Sequence, residues 1–383
     1  MLRRVLGGIL LAALSLCACQ VLIGIEERSV ADGGNDASLV FEDASVSCDA
    51  DTTRCGSACV DTEFSGEHCG RCGHSCLGAV CRFGACVPEV ALEIRSSGAV
   101  WAYGHELLLR SVPGTDSGAA DGTLVAFDTL TTRTTRPLGR AGRYLDVEIE
   151  GDEAFLIEHE PTQVRRLNLQ TGASAVLYRQ PNLDPAFRKI VISGDELFWT
   201  TRDDVRAMRR DGTGYRILKT VTEGSFGGSP GLLVDSSWVY FGIEDEPLIM
   251  AVSRDGGIGQ VVDTSRTAPE KGLQGAAIAM RWEDRMLWWS YKEIRSLPFD
   301  GGAALSIATT AEVPHGGARD DRYVYFGDVF KSDGNAARIL RYDPATRAVT
   351  VVVSGLKDLA NVAVVGDWLY YAAFGGSVYR VAK

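Results

Sequence analysis

One short pattern recurs seven times in the long C-terminal part of this chain, and it limits the possible folds more than any other feature. A turn residue pair is followed at once by an apolar strand: Gly104-His-Glu-Leu-Leu-Leu109, Gly151-Asp-Glu-Ala-Phe-Leu156, Gly194-Asp-Glu-Leu-Phe-Trp199, Ser236-Ser-Trp-Val-Tyr-Phe241, Glu283-Asp-Arg-Met-Leu-Trp288, Asp320-Asp-Arg-Tyr-Val-Tyr325 and Gly366-Asp-Trp-Leu-Tyr-Tyr371. The copies are about 40 residues apart, the length of a unit of four short strands. A short apolar strand precedes each copy, as in Lys189-Ile-Val-Ile192. Hairpin signals follow at Asp211-Gly212, Asp255-Gly256 and Asp300-Gly301. The second strand of each unit is continuously apolar, where a strand wet on one face would alternate. Stacking against neighbours on both faces explains this, so the chain reads as an all-β fold, a β-propeller of seven blades. Six is the alternative if the first and least regular unit is not a blade.

Ring closure is legible too. The last unit has only three strands, Asn361–Val365, Trp368–Ala373 and Ser377–Val381, before the sequence stops at Lys383. The extra strand Val90–Arg95, ahead of the first unit, is expected to supply the missing fourth strand and remove a free edge.

The N-terminus has a different character. Arg3 and Arg4 precede the apolar stretch Val5–Leu16, which is too short to span a bilayer. It ends in Leu16-Cys17-Ala18-Cys19-Gln20, which resembles a bacterial lipobox with Cys19 as the modified residue. An ordinary secretory peptide (with a chance cysteine) is the alternative. The resemblance implies a signal peptide over residues 1–18 and a diacylated or triacylated Cys19. Gln20 in place of Asp implies sorting to the outer membrane. Residues 19–47 then read as a lipidated tether and a flexible acidic linker.

Ten cysteines occur in the chain. With Cys17 cleaved off and Cys19 acylated, eight remain: Cys48, Cys55, Cys59, Cys69, Cys72, Cys76, Cys81 and Cys86. An even number in an exported chain implies disulfides, and none lies beyond Cys86. The bridges therefore staple one small module, residues 48–87, ahead of a cysteine-free propeller over 88–383. Spacing does not choose the connectivity. A zinc site on Cys69, Cys72 and His68 or His74 is the rival reading.

The module string Cys55-Gly-Ser-Ala-Cys59, His68-Cys69-Gly-Arg-Cys72-Gly-His-Ser-Cys76, Cys81 and Cys86 resembles the stigma-specific cysteine-rich family. That resemblance implies an extracytoplasmic disulfide module and no catalytic residue. The blade text Leu197-Phe-Trp-Thr-Thr201 through Tyr215-Arg-Ile-Leu218 resembles the Tyr-Trp-Thr-Asp repeats of lipoprotein-receptor propellers, without their Asp after Trp199-Thr200.

Charge and motifs bound the function. Lys and Arg number 39 against 50 Asp and Glu, a net charge of −11, which argues against nucleic acid as a partner. Gly227-Gly-Ser-Pro-Gly231 has the spacing of a nucleophile elbow but precedes a strand, so it reads as a turn. His105 is expected in a hairpin turn, and His159 and His315 in loops. Propeller ligands commonly sit over the loops that join second to third strands and blade to blade. Asp203, Asp204, Glu244, Asp245, Glu246 and His315 are the candidate binding face there. The acidic members give Ca²⁺ as the one conceivable cofactor. The first strands read as mostly apolar and small, which favours a monomeric binding or scaffold protein with a protein or carbohydrate ligand over a propeller enzyme of lactonase, lyase or quinone-dependent dehydrogenase type.

Overall fold

The computed structural model describes residues 47–112, 122–130, 135–159, 161–181, 187–221, 231–243, 248–264, 277–290, 293–309, 314–328, 337–356, 359–373 and 376–383. The signal peptide, Cys19 and almost all of the acidic linker lie outside them, as do Glu244, Asp245, Glu246 and residues 227–230 of the elbow-like string. Residues Val46–Lys383 form one compact unit.

Seven four-stranded antiparallel sheets follow one another along the chain. Blade 1 runs from Ser96 to Ala141, blade 2 from Arg143 to Arg179, blade 3 from Ile190 to Thr220 and blade 4 from Leu232 to Thr264. Blade 5 covers Ala277 to Thr309, blade 6 Pro314 to Leu356 and blade 7 Leu359 to Ala382. The first strands of successive blades adjoin one another and form the inner ring. The count is therefore seven, and the first unit is a true blade.

The closing strand is Glu89–Leu92. It pairs antiparallel with the third strand of blade 7, Val378–Ala382, in the register Val378↔Leu92, Tyr379↔Val90 and Arg380↔Glu89. Ala91 enters the buried cluster that also holds Val100, Leu107, Tyr370 and Val378, between blades 7 and 1. N- and C-terminal segments thus complete one sheet.

Continuous apolar second strands are explained by this arrangement. In Glu196–Thr200, Leu197 and Trp199 pack with Phe155 and Ile157 of blade 2. Phe198 packs the other way, with Val239 and Phe241 of blade 4. All three are fully buried. Side chains alternate across a strand, so both faces must be apolar when both have a neighbour.

Two blades share a turn device. In blade 6, Asp320 Oδ1 accepts from the amides of Arg322 and Tyr323, and Oδ2 accepts from the Tyr325 hydroxyl. In blade 4, Asp235 does the same with Ser237, Trp238 and Tyr240. The aspartate replaces the positive-φ turn residue of the other blades, glycine in four and Glu283 in blade 5, by tying down the first turn amides and the second-strand tyrosine together.

The cysteine module is closed by Cys48–Cys59, Cys55–Cys72, Cys69–Cys81 and Cys76–Cys86. Zinc does not fit, because Cys69 and Cys72 each lack a free thiolate. Strand Ala85–Cys86 lies beside the outer strand of blade 6, Ala348–Leu356. Cys69, Cys76, Cys81 and Cys86 belong to one buried cluster with Tyr325, Ile339 and Val353 of blade 6. Absence of cysteine from the propeller suggests two independent parts; packing instead joins the module's core to that of the ring.

Candidate functional site

The loop face, where second strands pass to third and each blade passes to the next, is underlain by buried ion pairs. In blade 2, Glu158 is the penultimate residue of the second strand, Glu153–His159. Its carboxylate accepts from Arg165 Nη2 at 2.7 Å, from Gln163 Nε2 at 2.7 Å and from the Gly142 amide at 3.0 Å. Burial alone would raise this acid, but Arg165 and the other donors outweigh it and hold the carboxyl below its usual range. In blade 3, Asp204 accepts from Arg206 at 2.7 Å and from Thr220 Oγ1 at 2.8 Å. Between blades 4 and 5, Asp263 accepts from Arg295 Nε at 3.1 Å and from Trp288 Nε1 at 2.9 Å. In blade 6, Arg338 donates to the fully buried Asp328 at 2.8 Å.

Asp204 therefore has both oxygens engaged within the blade, while Asp203 is exposed beside it. His159 and His315 sit in strands rather than loops, at the end of Glu153–His159 and near the start of Pro314–Arg319. His105 is in the first hairpin turn, as expected.

A polar group absent from the sequence-based face gathers at the inner ends of blades 2 and 3. Lys189 Nζ lies 3.2 Å from Asp146 Oδ2, and the Ile190 amide donates to the same oxygen at 3.0 Å. Glu148 lies on the same side of that first strand. Burial pushes its carboxyl up to about 7; Lys189 opposes the shift, and Asp146 and Glu150 add to it. Burial would lower Lys189, but Asp146 and Glu148 hold it above its ordinary value. The first strands are therefore not uniformly apolar. The sequence signal was available: Asp146-Val-Glu148-Ile-Glu150 places an acid at every second position of a strand whose counterparts carry Val, Ile and Ala.

These residues mark a level of the ring. Asp146 pairs opposite Ile157 and His315 opposite Gly327, equivalent points of their second strands. Lys189 directly precedes the Ile190↔Trp199 pair and so sits opposite Thr200, the matching point of blade 3. In blade 7, Asn361 bridges to blade 1 by accepting from the Val100 amide and donating to its carbonyl, both at 2.9 Å. Gly316 has φ +57°, and a Cβ there would fall 2.7 Å from Asn361 Cα. Only glycine lets blades 6 and 7 approach this closely.

Chemically, the face offers a rigid charged rim and one carboxyl poised near neutrality. On the same face the Thr162 hydroxyl lies 3.3 Å from His159 Nδ1.

No protein-family model matches this sequence, and a search of curated proteins finds no match. Solved structures do resemble it in fold. Catalytically inactive virginiamycin B lyase from Staphylococcus aureus, with quinupristin, superposes with a TM-score of 0.58 at 12% identity, over 78% of this chain and 98% of that one. A puromycin-hydrolyzing peptidase from Mycobacterium tuberculosis gives 0.55 at 13%, over 78% and 54%. YCF48 bound to D1 peptide gives 0.53 at 14%, over 77% and 95%. At these identities the likeness extends to the propeller fold and no further.

Proposed function

We propose that this protein is a lipid-anchored binding protein of the cell envelope, held in the outer membrane through acylated Cys19 and presenting its ring as a recognition surface for a protein or carbohydrate ligand. The observation that carries the reading is the set of four disulfides within Cys48–Cys86, since such a staple persists only in an oxidising compartment. The loop face supports recognition because its buried charges are spent on one another, leaving a stiff platform. Rings of similar fold hold a peptide in YCF48 and quinupristin in the lyase. Cys19→Ala tests the anchor: labelled palmitate should no longer be incorporated and the protein should leave the membrane fraction. Retention in membranes without the label overturns the lipoprotein reading.

A catalytic reading rests on Glu148 alone, a carboxyl near neutral pKa beside Lys189. It requires a turnover that Glu148→Gln abolishes.

A further inference from the structure

The opposite face of the ring, made of the turns joining first to second and third to fourth strands, carries a cleft between blades 3 and 4. It is an open groove of about 690 Å³, lined by Glu196, Arg209, Arg216, the serines 236, 237 and 253, Arg254 and Asp255. That volume lies within the range of small-molecule sites, roughly 300–1,000 Å³.

Its charge is unusual for this chain. Three arginines face two acids, an excess of one positive charge in a protein of net −11. Two of the arginines are fixed. Glu196 accepts from Arg216 at 2.7 Å and from Arg254 at 3.0 Å. Arg254 also donates to the carbonyls of Asp235 and Ser193, at 3.2 and 3.1 Å, and its guanidinium lies 5.0 Å from the Phe198 ring centroid. Arg216 donates to the Arg254 carbonyl at 3.1 Å. This lattice spans both blades and sets the floor of the cleft.

Arg209 differs. Among the described residues its guanidinium has no hydrogen-bond or ion-pair partner. The Asp211 carboxylate, whose charge it feels, is already bonded to the Thr213 amide and hydroxyl. A planar guanidinium with free donors, next to the serine hydroxyls, matches an oxyanion bidentately. The carboxylates of Glu196 and Asp255 and the three serines supply acceptors and donors for sugar hydroxyls.

We propose that this cleft binds a small acidic saccharide, its anionic group on Arg209 and its hydroxyls on the serines and Glu196. The site is separate from the loop face and does not depend on lipidation. A uronate carboxylate and a sugar phosphate share the required chemistry.

The test is calorimetric titration of the full-length protein with digalacturonate, glucose 6-phosphate and glucose. Saturable binding of either acid at one equivalent, with glucose at least tenfold weaker, is expected. The acid that binds identifies the source of the anion. Arg209→Ala should weaken that acid at least tenfold. Arg209→Lys should recover part of the loss, because it keeps the charge and loses the fork. Ser237→Ala should weaken it a few-fold. Arg209 is exposed, so its substitution leaves the fold intact, which the melting temperature verifies. No saturation by either acid up to millimolar concentration overturns the proposal. So does unchanged affinity in Arg209→Ala, or glucose binding as tightly as the acids.

Discussion

The Glu89 carboxylate accepts two hydrogen bonds from the Arg380 guanidinium, at 3.1 and 2.8 Å, although 291 residues separate them in the chain. This contact lies on the seam where the closing strand meets blade 7. The Glu89 side chain is 38% exposed, whereas neighbouring Ala91 is 8% exposed.

That contrast gives the first prediction. Glu89→Ala should cost less than about 1 kcal/mol, as for exposed ion pairs. Ala91→Asp buries an unpaired charge and should cost about 3 kcal/mol or more. Removal of residues up to Arg95 should leave the Val378–Ala382 edge open and produce oligomers. Urea denaturation ranks the two substitutions, and size-exclusion chromatography reads the truncation. A truncated ring that stays monomeric and equally stable overturns the role given to the closing strand.

Asp320 binds Lys383 Nζ at 2.8 Å besides its turn amides and Tyr325. Burial would raise its carboxyl, but Lys383 and the other donors hold it below the usual value. A depressed folded pKa stabilises above the unfolded value and is lost as pH falls through the folded one. Asp320→Asn should therefore cost about 1–2 kcal/mol at neutral pH. The gap to the native protein should hold above the ordinary value of 3.8 and narrow as the pH falls below it. A gap that widens on acidification would contradict this account.

Glu148 has the opposite sign. Its pKa rises from 4.5 to about 7 in the fold, so between those values the folded state holds the extra proton. Stability should fall as pH rises through that window. Glu148→Gln should then gain of order 2 kcal/mol relative to the native protein between pH 5 and pH 8. Thermal melts at the two pH values measure it, and equal gains at both would refute the buried-acid reading.

At the tip of the last module hairpin, Phe83 has φ +50° and Gly84 φ +73°. Two-residue hairpins of this kind prefer Asn-Gly, because bulky side chains crowd the left-handed region. Phe83 is 80% exposed, so little packing is lost on replacement. Phe83→Asn should raise stability by about 1 kcal/mol. A fall in melting temperature would mean that the edge-on contact of Phe83 with Phe64, 5.7 Å between centroids, matters more.

Because Cys76 and Cys86 are buried in the cluster that contains Tyr325 and Ile339, reduction should be felt in the ring. Replacing both cysteines by alanine should lower the ring's stability by about 2–3 kcal/mol. Near-ultraviolet circular dichroism of the ring aromatics follows its melting. An unshifted ring transition would show that the two parts are uncoupled.

The repeat rhythm made the blade architecture legible, because hairpin length and two-sided burial are properties of short segments. The seven turns, the paired apolar strands and the unpaired strand near residue 90 all follow from it. The parity of the cysteines similarly announced disulfides ahead of Cys86. Boundary errors stayed within three residues: the closing strand is Glu89–Leu92 rather than Val90–Arg95, and His159 and His315 moved from loops into strand ends.

Pairing over distance was decided only in the tertiary structure. Spacing allowed many connectivities for eight cysteines, and the fold chose Cys48–Cys59, Cys55–Cys72, Cys69–Cys81 and Cys76–Cys86. Nothing local announced that Arg254 would reach back 58 residues to Glu196, that Lys189 would meet Asp146, or that the module would share a core with blade 6. Local hydrogen bonding and hydrophobic period act within a hairpin and are written along the chain. The partner of a charge on a blade edge is set by how the ring brings neighbouring sheets together, so it becomes visible only once the ring has closed.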